Sequence, residues 1–202
     1  MTETKPLPTP NAPRKRSGGR GGNHGGRGRN ARGGGTSVNP NGGARGRLRR
    51  NVGLVIINTE GKVLAGLRAH ANGDKAWQLP QGGIEGRERP IVAAYRELKE
   101  ETGLPEAETE LLAERKNWID YWLPKEWVRG RRFAGQTQKW FAFRYLGDGL
   151  PDIKRAADKE FEALDWVDAD WLQEHVIDFR KKVYAEVFKE FQTLLQQKDG
   201  AE

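Results

Sequence analysis

Residues 90 to 103 carry the start signal, the apolar spacing and the stop signal of one α-helix. Pro90 suits the first helical position, where its missing N–H would be unpaired anyway. Gly103 fits the left-handed conformation that commonly ends a helix. An apolar stripe at the spacing i, i+3, i+4 and i+7 is formed by Ile91, Ala94, Tyr95 and Leu98. The segment therefore predicts an amphipathic helix whose stripe packs on a core.

Three carboxylates lie on another face of this predicted helix. Glu97, Glu100 and Glu101 stand at i, i+3 and i+4, so they converge at 3.6 residues per turn. Like charges at this spacing destabilise a helix by about 0.2–0.5 kcal/mol per pair. Either the three side chains spread into water, or a divalent cation such as Mg²⁺, which prefers oxygen ligands, holds them together. Their spacing alone leaves both alternatives open.

The stretch GGIEGRERPIVAAYRELKEETGL, residues 82–104, resembles the Nudix box GX5EX7REUXEEXGU, in which U is aliphatic. The matching positions include Gly82, Glu88, Arg96, Glu97, Glu100, Glu101 and Gly103. The resemblance implies an α/β fold, an α/β/α sandwich around a mixed β-sheet. It also implies a loop–helix–loop whose glutamates bind Mg²⁺ or Mn²⁺, with two or more ions at the site. Arg96 is expected to pair with a glutamate of the box.

Apolar and turn patterns predict the other elements of the chain. A buried strand is expected at 51–57, followed by a turn at 58–61 and a short strand before the loop at 76–83. Further strands are predicted within 110–123, 138–146 and 160–168. A C-terminal helix is predicted at 180–197, with its apolar face formed by Val183, Val187, Phe191 and Leu194. The expected domains are a basic arm at 1–48, a Nudix domain at 49–197 and a tail at 198–202.

The predicted arm is rich in arginine and glycine. The chain's net charge is +7, and its first fifty residues, with ten Arg, two Lys and one Glu, contribute +11. The rest of the chain is therefore mildly acidic. Residues 1–48 lack aromatic side chains, so they cannot bury enough apolar surface to offset the entropy of ordering, and we predict that they are disordered. One interpretation is an RNA-contacting arm that neutralises phosphates; the other is a solubilising tail.

Composition excludes several classes of site. The chain has no cysteine, so disulfides and thiolate metal sites are impossible. No apolar run approaches the roughly 20 residues that cross a bilayer, and no secretory signal is evident. A cytoplasmic monomer is the default expectation. Three scattered histidines (His24, His70 and His175) and the lack of a serine nucleophile elbow argue against a catalytic triad.

Stretches outside the box resemble bacterial RNA pyrophosphohydrolases, a group that overlaps with the diadenosine polyphosphate hydrolases. These stretches are NVGLVIIN, WQLPQGGI, NWIDYWLP, GQTQKWF, EFEALDW and FRKKVY, within residues 49–197. The resemblance implies metal binding by Glu97, Glu100, Glu101 and Glu160, with catalytic roles for Glu97, Glu101 and Glu160. It places Phe179 against the first base of RNA, and Ile177 and Arg180 near the second nucleotide. Phosphate contacts are expected from Arg49, Arg68, Gln136, Gln138 and Lys139.

Three functions are considered, and the choice among them depends on this resemblance. The first is metal-dependent hydrolysis of the 5′-triphosphate or diphosphate end of RNA, a step in RNA decay. The second is hydrolysis of diadenosine polyphosphates and other nucleotide polyphosphates, with the arm irrelevant to catalysis. The third is an RNA-binding protein on an inactive Nudix scaffold, against which the intact box argues.

Overall fold

A mixed β-sheet of eight strands forms the centre of the computed structural model, which describes residues 47–69 and 75–197. The described strands are β1 (Arg47–Ile57), β2 (Val63–Ala69), β3 (Lys75–Gln78), β4 (Gln81–Gly83), β5 (Thr109–Glu114), β6 (Ile119–Trp122), β7 (Phe133–Tyr145) and β8 (Ala163–Val167). The described helices are α1 (Pro90–Thr102), α2 (Lys125–Val128), α3 (Ala169–His175), α4 (Asp178–Glu190) and α5 (Gln192–Gln196).

The two longest strands, β1 and β7, run parallel at the middle of the sheet. Their register extends from Leu48 opposite Gly135 to Ile57 opposite Arg144. Every other pairing in the described sheet is antiparallel: β1 with β2 and β4, β2 with β3 and β8, and β7 with β5 and β6. The prediction of a mixed sheet is therefore confirmed.

Helices cover both faces of the sheet because β1 is apolar on both sides. Val52, Leu54 and Ile56 lie in one buried cluster with residues of α1, whereas Val55 and Ile57 lie in a second cluster with residues of α4. Successive strand residues point to opposite faces, so a continuous apolar run suits a strand buried twice. The α/β/α sandwich expected from the Nudix resemblance is confirmed.

Helix α1 has the limits and the orientation that its sequence predicts. Pro90 opens it, and Gly103 caps it with φ 75° and an N–H that donates to the Lys99 carbonyl oxygen. A Cβ at Gly103 would also crowd Arg155, so this position favours glycine for two reasons. The predicted stripe packs on the core, since Ala94 and Leu98 are buried and Ile91 and Tyr95 lie against them.

Other boundaries differ from the sequence prediction. β1 begins at Arg47 rather than at residue 51, because backbone pairing with β7 continues beyond the apolar run. The predicted C-terminal helix is divided at Phe191 into α4 and α5, although Val183, Val187 and Phe191 are buried as expected. Glu160 precedes β8 instead of belonging to a strand.

Some predictions fall outside the described residues. These are the arm as far as residue 46, the tail 198–202, His24 and His70. Within the described ranges, no helix is long and apolar enough to cross a membrane.

Candidate active site

A cleft of about 720 Å³ brings together most of the residues singled out from the sequence. One group of lining residues is acidic and comes from α1 and from the loop before β8: Glu97, Glu100, Glu101, Asp158 and Glu160. A second group is aromatic or basic: Arg49, Arg68, Tyr121, Trp127, Arg129, Arg131, Phe179 and Arg180. Anionic and cationic side chains are thus available to one ligand.

Helix α1 presents its carboxylates to the cleft at different depths. Glu97 and Glu101 are buried, with 6% and 2% of their surface exposed, whereas the side chain of Glu100 is 35% exposed. Burial is the largest cause that raises the pKa of Glu97 and of Glu101 above the usual range. The nearby Glu160 carboxylate adds to the increase in the pKa of Glu101. A buried group of like charges is costly unless a cation offsets it.

Arg96 connects the loop before α1 to the carboxylates of the helix. Its Nη2 donates to the Gly83 carbonyl oxygen at 2.7 Å and to Glu88 Oε1 at 2.8 Å. Its Nη1 donates to Glu97 Oε1 at 2.8 Å and to Glu100 Oε2 at 2.7 Å. The hydrogen bond from Arg96 lowers the pKa of Glu88. The predicted pairing of Arg96 with a glutamate of the box is confirmed, and it involves three glutamates.

Strand β4 passes close to the carboxylates of α1. The residues of β4 meet them either without a side chain, at Gly82, or through a backbone N–H, at Gln81. A Cβ at Gly82 would overlap the Glu97 carboxylate, so glycine is required for this close approach. The next contact along the strand is the Gln81 N–H, which donates to Glu101 Oε2 at 2.7 Å. The box glycine thus gives Glu97 its place.

Glu160 enters the cleft from the opposite part of the chain and pairs with Arg68 of β2. Arg68 Nη1 lies 2.6 Å from Glu160 Oε2, and Nη2 donates to Oε1 at 3.2 Å. Both side chains are 35% exposed. Arg68 and Arg96 therefore bond directly to oxygens of Glu160, Glu97 and Glu100.

The acidic group fits a divalent cation by its chemistry, since its donors are all carboxylate oxygens. Among the described residues, however, no three Asp, Glu or His side chains are arranged closely enough to share an ion as they stand. Oxygens of Glu97, Glu100 and Glu160 are bonded to arginines instead. Arg96 contacts one oxygen each of Glu97 and Glu100, whereas Arg68 contacts both oxygens of Glu160, so an ion at Glu160 would have to compete with Arg68.

Three aromatic rings form a surface at the basic side of the cleft. Phe179 stacks on Tyr121 with 5.7 Å between ring centroids and an interplanar angle of 25°. Trp127 meets Phe179 edge-on at 5.5 Å and 73°. The Arg180 guanidinium lies 5.7 Å from the Phe179 ring, and its Nη1 donates to Gln78 Oε1. Such a surface suits a stacked nucleobase.

The structure gives Arg49 and Gln136 places on the cleft wall, as their assignment to phosphate requires. The Arg49 guanidinium covers the Gly83 backbone, where a side chain on residue 83 would collide with it. Gln136 lies on β7, two residues before the buried Gln138. Both residues are therefore available to a ligand in this cleft.

Three predicted contacts do not line the cleft. Lys139 was predicted to contact phosphate, but its side chain is turned away from the cleft. Its ammonium group binds the Arg115 and Lys116 carbonyl oxygens and the Glu114 carboxylate. Gln138 is 1% exposed and donates to Asn51 Oδ1 and Gln81 Oε1, so it supports the wall from behind. Ile177 is half-buried against the core at the start of α4.

Sequence reasoning missed several lining residues, among them Asn51, Gln78, Gln81, Tyr121, Trp127, Arg129, Arg131 and Asp158. Gln81 is beside the box, but its contribution to Glu101 is a backbone N–H, which side-chain patterns do not show. For Trp127, Arg129 and Arg131 a signal was present: the run PKEWVRGRR at 124–132 has four basic residues and one acid.

Comparison with known proteins agrees with the fold. The model of the NUDIX domain family matches residues 47–189. An RNA pyrophosphohydrolase of Halorhodospira halophila is 42% identical over 157 residues, which cover 76% of this chain and 85% of the relative. An RNA pyrophosphohydrolase of Bartonella clarridgeiae is 43% identical over 159 residues, which cover 71% of this chain and 89% of the relative.

Solved structures with the same fold are more distant in sequence. An Ap4A hydrolase of C. elegans, in a binary complex, has a TM-score of 0.55 and 16% identity, covering 72% of this chain and 98% of its own. The dihydroneopterin triphosphate pyrophosphohydrolase of E. coli has a TM-score of 0.56 and 18% identity, covering 70% and 96%. At these identities the similarity concerns the fold alone.

Proposed function

The chain belongs to the Nudix hydrolase family, and we propose that it hydrolyses the 5′-triphosphate or diphosphate end of RNA. The products are pyrophosphate or phosphate and RNA with a 5′-monophosphate. One observation carries the proposal: Glu97, Glu101 and Glu160 line the same cleft as Phe179, a ring suited to a nucleobase. Relatives at 42–43% identity that are named RNA pyrophosphohydrolases support it.

Nudix hydrolases cleave phosphorus-containing anhydrides and generally need divalent metal ions. For this chain we assign Mg²⁺ or Mn²⁺, two or more ions, to the carboxylates of Glu97, Glu100, Glu101 and Glu160. When bound, such ions neutralise charge on phosphate oxygens and make water more acidic. The oxygen-only donor set and the raised pKa values of Glu97 and Glu101 support this assignment.

The four carboxylates differ in their suitability for proton transfer. Glu97 and Glu101 are buried, and Glu100 is bonded to Arg96. Glu160 is 35% exposed, as is Glu100, but it approaches from outside α1, and its partner Arg68 is itself assigned to substrate phosphate and would leave it when substrate binds. We therefore assign Glu160 to accept the proton of the attacking water, because it can reach both the cleft and the solvent.

The basic and aromatic residues bind and orient the substrate. Arg68 and Arg49 are assigned to the phosphate chain, since guanidinium groups contact phosphate oxygens in pairs. Phe179 is assigned to the first base, with Arg180 beside it. Arg96 contributes indirectly, because its bonds to Gly83 and Glu88 hold the loop on which the site depends. Positioning and charge stabilisation are what phosphoryl transfer requires of a protein.

A competition experiment tests the proposed substrate. Equal amounts of 5′-triphosphorylated RNA and diadenosine tetraphosphate are supplied with Mg²⁺, and kcat/KM is compared at low and moderate salt. Glu101→Gln provides the blank. We expect RNA to be preferred, by a margin that falls as salt rises. Preference for the dinucleotide at both salt concentrations would identify a nucleotide-pool enzyme. Turnover of neither substrate would favour the inactive scaffold.

The basic arm has its own test. We propose that residues 1–46 increase affinity for RNA through phosphate neutralisation. Deleting them is expected to raise KM for RNA at low salt and to leave diadenosine tetraphosphate hydrolysis unchanged. An unchanged KM for RNA would refute the role of the arm without affecting the assignment of the metal site.

A further inference from the structure

We propose that Trp127, Arg129 and Arg131 form a subsite for the RNA nucleotides that follow the first one, here called the downstream subsite. The inference rests on the proposed function and names where the rest of the RNA chain lies. Its ligand is a single-stranded phosphodiester chain with one base stacked on Trp127.

The aromatic surface extends beyond the ring assigned to the first base. Tyr121 covers one side of Phe179, with the two rings stacked, while Trp127 approaches Phe179 edge-on. The Trp127 ring therefore presents a plane in a different orientation, at the side of Phe179. Trp127 is half-buried and lines the cleft, so part of it faces a ligand. Such a plane can stack on a nucleobase whatever the base, because every base has a π-face.

The turn that follows α2 supplies the positive charge. Arg129 and Arg131 are exposed and line the cleft. Neither guanidinium group makes a hydrogen bond or an ion pair with any residue that the structure describes, although the Arg131 backbone N–H donates to the Val128 carbonyl oxygen. Between them Gly130 has φ 76° and open space around it, so the turn projects into solvent. Two guanidinium groups beside an aromatic plane are suited to a nucleic-acid backbone with a stacked base.

Strand pairing places this turn close to Arg47, the first residue of β1, which follows the basic arm in sequence. Phe133, which begins β7, pairs with Arg47, which begins β1. Arg131 stands two residues before Phe133, a chain length of at most about 7 Å. RNA that passes Arg131 therefore approaches the point where the preceding 46 residues join the domain. Those residues carry a large excess of arginine.

The downstream subsite is separate from the reacting groups. Trp127, Arg129 and Arg131 have no ion pair with Glu97, Glu101 or Glu160 among the described residues; the partners of those carboxylates are Arg96, Gln81 and Arg68. Changes at the subsite are therefore expected to act on RNA binding and not on the chemical step.

A charge-matched pair of variants tests the inference. Arg129→Ala/Arg131→Ala removes two cations that line the cleft. Lys125→Ala/Arg132→Ala removes two cations from the same segment that do not line it, and Arg132 lies over Phe133 instead. KM and kcat are measured in the full-length protein with 5′-triphosphorylated RNAs of one to eight nucleotides and with diadenosine tetraphosphate.

We expect the first double variant to raise KM for the octamer about tenfold at low salt, with kcat unchanged. The increase in KM should grow with RNA length. It should be absent for the one-nucleotide substrate and for diadenosine tetraphosphate. The slope of log affinity against log salt should fall by about 1.4, since each single-strand phosphate contact contributes about 0.7. Trp127→Ala should raise KM for RNAs of two or more nucleotides. The control pair should change these quantities much less.

Binding of an octamer with a 5′-hydroxyl, followed by fluorescence anisotropy, separates the two proposals. Weaker binding by the first pair alone supports the downstream subsite even if wild-type protein does not cleave triphosphorylated RNA, in which case the proposed function fails. Equal binding and equal KM for both pairs, with wild-type turnover of RNA intact, overturn the subsite only. An equal increase in KM for the octamer and for diadenosine tetraphosphate also overturns the subsite, because these residues would then bind any nucleoside.

Discussion

Arg68 and Glu160 are joined by two contacts, of 2.6 and 3.2 Å, although their proposed roles require different partners. Arg68 is assigned to substrate phosphate, and Glu160 to a metal ion and the attacking water. Strand pairing holds them together, because β8, which follows Glu160, pairs with β2, which carries Arg68. An ion at Glu160 must compete with Arg68, and the competition would free the guanidinium for phosphate. Metal and substrate binding are then coupled reciprocally.

Replacing Arg68 tests this coupling. For Arg68→Gln we expect divalent-metal affinity without substrate to rise about two- to fivefold, the equivalent of an exposed ion pair of up to about 1 kcal/mol. We expect KM for triphosphorylated RNA to rise as well, since a phosphate contact is lost. Titration calorimetry with Mg²⁺ and Mn²⁺ measures the first effect. The control is Arg87→Gln, an exposed arginine of the same box region outside the cleft. Unchanged metal affinity in Arg68→Gln would contradict the exchange.

Glu101→Gln separates the cost of the buried charge from its use. Burial and the neighbouring Glu160 raise the pKa of Glu101, which means that the charged form is unfavourable in the metal-free protein. The variant should therefore have a metal-free Tm equal to or above that of the wild type. It should also lose most of the increase in Tm on adding Mg²⁺, and lose turnover.

Thermal unfolding with Mg²⁺ and with a chelator, together with an RNA assay, checks this prediction. Glu110→Gln, which alters an exposed glutamate of β5, is the control and should behave as the wild type. A normal rate in Glu101→Gln would refute the assignment of this residue to the metal site.

Arg96 should matter more for stability than a comparable surface arginine. It binds Gly83, Glu88, Glu97 and Glu100, and its side chain is 24% exposed. We expect Arg96→Ala to lower the free energy of unfolding by about 1.5–3 kcal/mol, the range for hydrogen bonds to charged groups. Urea denaturation without metal measures this loss.

The control for Arg96 is Arg155→Ala. Two nitrogens of Arg155 also bind a carboxylate, that of Glu108, but this pair is exposed. Exposed pairs contribute at most about 1 kcal/mol, so the loss should be smaller. Equal losses in the two variants would show that the contacts of Arg96 add nothing to stability beyond a surface ion pair.

The carboxylates of α1 were predictable because helical spacing is regular. Once Pro90 and Gly103 mark the helix, Glu97, Glu100 and Glu101 must share a face. In the same way, the apolar run at 51–57 predicted a buried strand. These features depend on local geometry, which the sequence contains directly.

Lys139 shows where a residue role carried over from the resemblance does not fit the structure. It adjoins Gln138 on β7, but its ammonium group is held by two carbonyl oxygens near β5, a tertiary contact that no spacing rule encodes. Trp127 was overlooked for a similar reason: its position against Phe179 depends on how the chain folds between β6 and β7. In both cases tertiary packing decides which groups the side chain contacts, so its prediction needs the structure.

Tyr184 is expected to lower the stability of the fold as pH rises above about 10. It is fully buried, and its hydroxyl accepts a hydrogen bond from the Leu79 N–H at 2.7 Å. Burial raises its pKa to about 12, whereas a tyrosine in the unfolded chain titrates near 10. Below about pH 10 both states keep the proton. Between about pH 10 and 12 the unfolded chain releases it and the folded chain does not, so stability must fall as pH rises.

Urea denaturation at pH 8 and pH 11 measures this effect, and Tyr184→Phe is the control. Between pH 8 and pH 11 the wild type should lose about 1.4 kcal/mol more than the variant, because only one of the two units of pKa difference lies below pH 11. At pH 8 the variant should be about 1 kcal/mol less stable, since the Leu79 N–H loses its acceptor. Burial also raises the pKa values of Tyr95, Tyr121 and Tyr145, but these groups titrate in both proteins and cancel in the comparison. Parallel pH curves for wild type and variant would show that Tyr184 does not cause the alkaline loss.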